Sequence, residues 1–394
     1  MLLRHRARQI RQWGRVGFVG LMALLALLPL AAQLAGRNSW RVGENRAQAP
    51  LPVMPADIAA LRAWPRAADA ALADRFGLRT QLVSLHDQAL FHLFGTFATK
   101  LVEAGPDGRL FLGGDWGRSP TRRVCGHGLP AGQLPQMVAQ ATRLLRGLQA
   151  RAPQVDLLVA PSAPVLYPTE LPGWLQADCT TGTPMARQVL DLLPPEWRVR
   201  SLYPVAQLAE PGLRAPAIPR RFLHWDGVGA GLAASAWAEG HRHLPPLRAV
   251  AAAWHRRPSD LGGFFPGVAL WSMALEPLAE LPGIESCMGW TCFPGFAETA
   301  RTLVDVRRFS ATPPGVGRLL VLSDSFGAAV APWLARYHGE VWQFTMNYLE
   351  QLPLEQRRQF MHAVLEEYRP DQLLLVILDA SLAITLPRLL LLVE

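Results

Sequence analysis

Ser325 is the residue of this chain best placed to act as a nucleophile. It lies in the Ser-Asp-Ser-Phe-Gly sequence of residues 323–327, directly after the apolar residues 319–322. An unbroken Leu/Val run is typical of a strand buried on both faces, and open α/β sheets bind ligands beyond the carboxyl ends of their strands. The pattern therefore predicts a serine hydroxyl exposed at that edge of a sheet. The structural alternative is a turn in which Asp324 and Ser325 only cap the next helix.

His224 is the best candidate for the base that a serine nucleophile needs. The chain contains ten histidines, and His224 lies where an apolar segment meets a turn at Gly227 that opens a predicted helix. A serine and a histidine that share a proton carry out acyl transfer. The structural alternative is a histidine that only stabilises a turn.

The elements that must position these two residues alternate between helix and strand. This alternation predicts an α/β fold, with a mostly parallel sheet covered by helices. The predicted strands of the sheet are residues 155–160, 198–203, 319–322, 341–344 and 372–378. The predicted helices between them are residues 134–150, 229–240, 328–337 and 354–368. Residues 245–312 have weaker periodicity and are expected as an insertion over one end of the sheet.

The amino terminus has the composition of a membrane anchor. An arginine-rich head is followed by residues 16–35, which are apolar except for Gln33 and long enough to cross a bilayer. The positive-inside rule then places the rest of the chain outside the cytoplasm. We expect a head and uncleaved anchor at 1–36, a linker at 37–55 and an α/β domain at 56–394. A cleavable signal peptide is the alternative.

The net charge does not indicate a nucleic-acid partner. Five arginines before residue 16 supply five of the eight net positive charges, and no acidic residue occurs before Glu44. The basic charge therefore belongs to the anchor rather than to a recognition surface.

The four cysteines agree with an exported domain, because thiols in an oxidising compartment favour disulfides over a metal site. Cys287 and Cys292 are close enough in sequence to close a small loop, which leaves Cys125 with Cys179. The other two connectivities stay open. No Cys-x-x-Cys pair is present, so a zinc site is not expected. We also expect no cofactor.

Several segments, in order, resemble the SGNH-hydrolase-like alginate O-acetyltransferases, the AlgJ/AlgX type of periplasmic polysaccharide acetylation proteins. The similarity extends over about 56–382 and is carried by residues 74–79, 107–112, 159–168, 224–225, 322–326 and 369–371. The resemblance implies an SGNH-like fold, with Ser325 as nucleophile and His224 as base. It also implies Trp225 beside the site and aligns Asn347 near it, where Asn347 and the backbone N–H of Ser325 are candidate oxyanion donors.

One position departs from the pattern of that family. Phe222 stands where the family has its triad aspartate, and Ser323 replaces a glycine. Removing the carboxylate of a triad typically costs several orders of magnitude in rate. Asp226 can supply a carboxylate if the turn folds back, or a backbone carbonyl can orient the imidazole instead. Three hypotheses follow: an acetyltransferase that uses a dyad, a degenerate scaffold or binding subunit, and a periplasmic carbohydrate esterase.

The leading hypothesis is a membrane-anchored periplasmic protein that O-acetylates an exported polysaccharide through an acetyl-serine on Ser325. The resemblance implies three kinds of partner. These are the exported polysaccharide, a membrane-bound O-acyltransferase that acts with other secretion components, and the inner membrane itself through the amino-terminal helix.

Overall fold

The computed structural model describes residues 2–35, 49–99, 101–112, 119–210, 212–247, 250–264, 267–278, 281–312 and 315–394. The chain forms two compact units. The first, here called the helical unit, contains Met1–Thr99 and Leu261–Ala269, and the second, the sheet unit, contains Lys100–Asp260 and Leu270–Glu394. This division differs from the single domain predicted for 56–394. Residues 36–48, most of the predicted linker, lie outside the described residues.

The helical unit contains three long helices: α1 (Leu2–Leu34), α2 (Ile58–Arg75) and α3 (Arg79–Phe94). Helix α2 begins at an N-cap, Asp57, whose carboxylate accepts a 2.7 Å hydrogen bond from the Ala60 N–H. In α1, the segment Arg15–Leu34 has a mean hydropathy of 2.1. By length and composition it is able to cross a membrane.

The sheet unit contains the remaining strands and helices. The strands are β1 (Val102–Ala104), β2 (Leu110–Leu112), β3 (Val155–Ala160), β4 (Ser201–Leu202), β5 (Ala252–Pro258), β6 (Trp271–Pro277), β7 (Ile284–Met288), β8 (Val306–Ala311), β9 (Arg318–Ser323), β10 (Glu340–Thr345) and β11 (Gln372–Leu378). The helices are α4 (Ser119–Val124), α5 (Gln133–Gln149), α6 (Ala163–Leu166), α7 (Gly173–Thr181), α8 (Met185–Leu192), α9 (Pro195–Arg198), α10 (Val205–Leu208), α11 (Val228–Arg242), α12 (Ala297–Leu303), α13 (Gly327–Leu334), α14 (Leu354–His362) and α15 (Leu382–Leu390).

Seven strands form the main sheet in the order β4-β3-β11-β9-β10-β8-β7. Strands β4, β3, β11, β9 and β10 are parallel, and β8 runs antiparallel to both of its neighbours. The predicted α/β class with a mostly parallel sheet is confirmed. Strands β1 with β2 and β5 with β6 form two separate antiparallel ribbons.

The central strands bury side chains on both faces, which explains their unbroken apolar runs. One face carries Leu157, Val159, Leu320, Leu322, Leu373 and Leu375, packed in a core with helices α5, α8, α14 and α15. The other face carries Leu158, Ala160, Leu319, Val321, Leu374 and Val376, packed with α6, α7, α11 and α13. Consecutive residues alternate between the two cores, so the sheet is the rigid middle layer of the unit.

Residues 245–312 differ from the insertion that was expected there. Strands β7 and β8 of this segment extend the main sheet beyond β10. Strand β7 is the edge strand, with four of its five residues exposed, and in β8 only two of the six residues are buried. A partly exposed strand lacks the continuous apolar run that identifies a central strand, which is why the sequence pattern missed both.

Candidate active site

Ser325 lies in the turn between β9 and α13, at the carboxyl end of the central strand. The turn is tight, and Gly327 is required in it. A Cβ added to Gly327 would lie 2.0 Å from the Oγ of Ser323, well inside van der Waals contact. The chain therefore turns sharply beyond the strand and carries the Ser325 side chain at the sheet edge, as the sequence predicts.

Ser325, His224 and Asp260 form a continuous hydrogen-bonded chain. The Oγ of Ser325 is 2.7 Å from His224 Nε2, and His224 Nδ1 is 2.7 Å from Oδ2 of Asp260. When Nδ1–H donates to the carboxylate, the lone pair of Nε2 faces the serine hydroxyl and can accept its proton. The side chains of His224 and Asp260 are 27% and 26% exposed, so the site is open to a substrate.

Asp260 is held in place by the backbone around the histidine. Its Oδ1 accepts a hydrogen bond from the Leu223 N–H at 2.8 Å, and its Oδ2 accepts one from the His224 N–H at 3.1 Å. The preceding residue, Ser259, donates its hydroxyl to the carbonyl of Arg221. These contacts join the end of β5 to residues 221–224, so the carboxylate and the imidazole are fixed relative to each other.

The structure corrects the expectation for the orienting carboxylate. Asp226, the candidate from sequence, accepts a 2.8 Å hydrogen bond from the Gly227 N–H, and burial raises its pKa. The group hydrogen-bonded to His224 Nδ1 is the Asp260 carboxylate. Phe222, at the expected aspartate position, is buried in the core. Sequence reasoning missed Asp260 because it lies 36 residues from His224, and its only signal is an acidic residue just after a strand.

Trp225 and Phe326 form the apolar wall of the site. Trp225 is 1% exposed, and its indole N–H donates a 2.9 Å hydrogen bond to the Phe326 carbonyl. The Phe326 ring lies 4.7 Å from the His224 ring and 5.3 Å from the Trp225 ring, measured between centroids. Trp225 therefore follows His224 in sequence but is a core residue that fixes the turn.

Asn347 lies at the same edge of the sheet as Ser325. It is half-buried, in the turn after β10, and the preceding Met346 donates its N–H to the carbonyl of Ser323 at 2.7 Å. Strand β10 is the parallel neighbour of β9. A role for Asn347 as an oxyanion donor stays a prediction.

Asp324 anchors the turn from inside the protein. Its Oδ1 accepts from the Phe326 N–H at 3.0 Å, and its Oδ2 accepts from the Leu378 N–H at 2.7 Å and the Ser381 hydroxyl at 2.8 Å. Burial raises the pKa of Asp324, and these hydrogen bonds oppose that rise. Asp324 thus ties the turn to β11, while the adjacent Ser325 faces His224.

Asp379 is a second buried acid at the carboxyl edge of the sheet. Its Oδ2 accepts hydrogen bonds from the Ser162 N–H at 3.0 Å and the Tyr203 hydroxyl at 2.7 Å. Burial raises its pKa to about 6. This residue connects the ends of β3 and β11 and stiffens the platform on which the site is built.

Both predicted disulfides are present. Cys125 is bonded to Cys179 and Cys287 to Cys292, with Cα–Cα distances of 4.8 and 5.8 Å. Within the described ranges, no group of three or more His, Cys, Asp or Glu side chains is arranged to hold a metal ion.

The fold and the site together define an α/β protein with a Ser-His-Asp arrangement at the carboxyl edge of its sheet. The sequence matches no protein-family model and no curated protein. Among solved structures, the chain is similar to a DHHW family protein from Eubacterium siraeum, with 12% identity, a TM-score of 0.50, and coverage of 74% of this chain and 95% of that one.

Two further solved structures are similar at lower TM-scores. The O-acetyltransferase domain of Pseudomonas putida AlgJ has 16% identity and a TM-score of 0.38, over 72% of this chain and 92% of that one. Bacillus cereus PatB1 with a sulfonyl adduct has 13% identity and a TM-score of 0.44, over 71% and 95%. AlgJ, of the type that the sequence resembles, is thus among the structures matched, and the DHHW family protein establishes the shared fold.

Proposed function

We propose that this protein is an O-acetyltransferase that moves an acetyl group through Ser325 onto a hydroxyl of an exported polysaccharide. The observation that supports this most is the hydrogen-bonded chain from Asp260 through His224 to Ser325. A complete triad is the arrangement that activates a serine for acyl transfer. It also argues against the degenerate scaffold, which has no need of an oriented base.

The proposed reaction has two half-reactions that use the same base. Ser325 Oγ attacks the acyl carbonyl of the donor while His224 Nε2 takes its proton, and His224 then gives that proton to the leaving group. In the second half-reaction, His224 accepts the proton of a sugar hydroxyl as its oxygen attacks the acetyl-serine, and Ser325 regains a proton on departure. Asp260 stabilises the imidazolium in both steps. The backbone N–H of Ser325, with Asn347 as a candidate partner, would bind the oxyanion.

The proposed setting is the periplasmic face of a bacterial inner membrane. The apolar segment Arg15–Leu34 would be the anchor, with the arginine-rich head in the cytoplasm. A membrane-bound O-acyltransferase and other secretion components would supply the acyl donor. Two disulfides in the sheet unit support an oxidising compartment.

The proposed function is tested by the acetyl content of the exported polysaccharide in cells that carry substituted copies of the protein. Ser325→Ala and His224→Ala should each reduce acetylation to the level of a deletion strain. Ser162→Ala is a matched control, because Ser162 is a buried serine at the end of the neighbouring β3 region that lies outside the triad. If Ser325→Ala keeps full acetylation while deletion removes it, the protein is a scaffold.

A further inference from the structure

The β5–β6 ribbon has an open face that the triad does not use. Trp271 pairs with Pro258 in the antiparallel register. In an antiparallel ribbon, two paired residues point to the same face, and so do residues two positions apart along one strand. Trp254 and Arg256 therefore lie on the same face as Pro258 and its partner Trp271. Ser272, which points to the opposite face, is buried. The exposed residues of the face that carries Trp271, namely Trp254, Arg256, Trp271 and Met273, are here called the tryptophan face.

The tryptophan face exposes large apolar side chains. Trp254 is 48% exposed, Trp271 is 40% exposed, and Met273, which follows Trp271 on the same face, is 48% exposed. The guanidinium carbon of Arg256 lies 4.9 Å from the centroid of Trp271, in a cation–π contact. Apolar groups clustered on a surface and rimmed by cations mark a binding site more often than a random surface.

A cavity of about 340 Å³ adjoins this face, and its lining includes both tryptophans together with Arg220, Arg221 and Asp107. That volume lies within the usual range of ligand sites. Arg220 is already engaged, because it pairs with Glu170 at 3.4 Å. Arg221 forms no ion pair within the part of the chain that the structure describes, so its guanidinium is available to a ligand.

The tryptophan face is connected to the triad through two segments of the chain. The carbonyl of Arg221 accepts the hydroxyl of Ser259, and the next residue, Asp260, is hydrogen-bonded to His224. On one segment, the cavity-lining residue Arg221 lies three residues before His224. On the other, Asp260 follows just after the end of β5. A long ligand held on this face would extend toward Ser325.

We propose that the tryptophan face binds the polysaccharide acceptor, a refinement that rests on the proposed function. Pyranose rings present C–H faces that pack on indoles, and their hydroxyl or acidic groups match the donors of Arg221 and Arg256. Trp254 is four residues along β5 from the partner of Trp271, a separation of about 13 Å along the ribbon. This separation favours an oligosaccharide stretch over a single sugar ring as the ligand.

The inference is tested by direct binding, with the Ser325→Ala protein so that no turnover occurs. The probes are neutral and uronate hexasaccharides and their monosaccharides, measured by calorimetry. At least one hexasaccharide should bind, and its monosaccharide should bind far more weakly. Trp254→Ala and Trp271→Ala should each weaken hexasaccharide binding about tenfold, the loss of one stacking contact. Trp271→Phe, which keeps an aromatic face, should lose less.

Trp290→Ala is the matched control. Trp290 is 42% exposed and carries Arg301 with its guanidinium carbon 4.3 Å from the ring centroid, but it does not line the cavity. This variant should bind hexasaccharides as the parent does. Equal loss in Trp290→Ala, no binding of any hexasaccharide, or unchanged binding in both tryptophan-face variants would overturn the inference. Capture of anionic phospholipid vesicles in place of sugars would also overturn it and assign the face to the membrane.

The proposed function is measured separately, by acylation of Ser325 in the unsubstituted protein. A protein that is acylated at Ser325 but binds glycans independently of Trp254 and Trp271 would retain the proposed function and lose this inference. A protein that binds through the two tryptophans but is never acylated would show the reverse.

Discussion

Asp260→Asn should remove most of the activity while leaving the fold intact. The substituted side chain would have one oxygen for the two backbone N–H groups that Asp260 now accepts, those of Leu223 at 2.8 Å and His224 at 3.1 Å. We expect the oxygen to keep the shorter bond, to Leu223. The amide N–H₂ would then face His224 Nδ1, now 2.7 Å from a carboxylate oxygen. To accept from that amide, the imidazole must place its proton on Nε2, where it points at Ser325 and blocks proton removal. The substitution reverses the tautomer that catalysis needs.

The expected loss in kcat/KM is on the order of 10³–10⁴-fold, the range typical for a triad whose imidazole is held in the wrong tautomer. This corresponds to about 4–5 kcal/mol of transition-state stabilisation. The assay is hydrolysis of a chromogenic acetyl ester, with a thermal melt to show that the variant is folded. Two backbone N–H groups, of Leu223 and His224, hold the Asp260 carboxylate against the imidazole, so water does not readily replace it.

Asp226→Asn is the matched control for this prediction. Asp226 is also an acid close to His224 in sequence, but its carboxylate accepts from Gly227 instead. The control should keep the parental kcat/KM. If Asp226→Asn loses activity and Asp260→Asn stays within about tenfold of the parent, a factor worth about 1.4 kcal/mol, then the assignment of Asp260 is refuted.

Three other substitutions test the supports of the site. Burial raises the pKa of Asp379 from 3.8 to about 6. The native state therefore holds this proton more tightly than the unfolded state does, and about 3 kcal/mol of stability is lost as the pH rises between those values. Asp379→Asn should cancel that loss, so the variant should resist urea better than the parent at pH 7.5 but not at pH 4. Opening the Cys125–Cys179 bond, which closes a 54-residue separation, should lower stability by about 4 kcal/mol in the chain-entropy account, and unchanged denaturation would contradict it. Gly327→Ala should lower both the melting temperature and kcat/KM, because its Cβ would collide with the Ser323 side chain; a variant with parental values would show that the turn has room.

The positions of Ser325 and His224 could be predicted from sequence because both depend on local patterns. Ser325 follows an apolar run long enough to be a buried strand, and β9 (Arg318–Ser323) and α13 (Gly327–Leu334) lie where this pattern placed them. His224 precedes a glycine turn that opens α11, again within a few residues of the expected position. Ser325 follows the carboxyl end of β9, and the loop before α11 brings His224 to it, so two residues 101 positions apart meet.

The third member of the triad could not be predicted, because its position depends on long-range packing. Asp260 reaches His224 only through the β5–β6 ribbon, whose exposed side chains in β5 give no clear period. Beside His224 in sequence, Phe222 is in the core and Asp226 accepts from its own turn, so no neighbouring residue orients the imidazole. Strands β7 and β8 were missed for a related reason, since partly exposed strands resemble loops in a hydrophobicity pattern.

The most direct test of the central claim is peptide mass spectrometry of the protein after incubation with an activated acetyl ester, followed by addition of an oligosaccharide. The account predicts one acetyl group on the peptide that contains Ser325, its absence in His224→Ala and Asp260→Asn at short times, and its transfer to the sugar when the oligosaccharide is added. Acetyl transfer to sugar that proceeds equally in Ser325→Ala, with no acetyl group ever found on Ser325, would contradict the account.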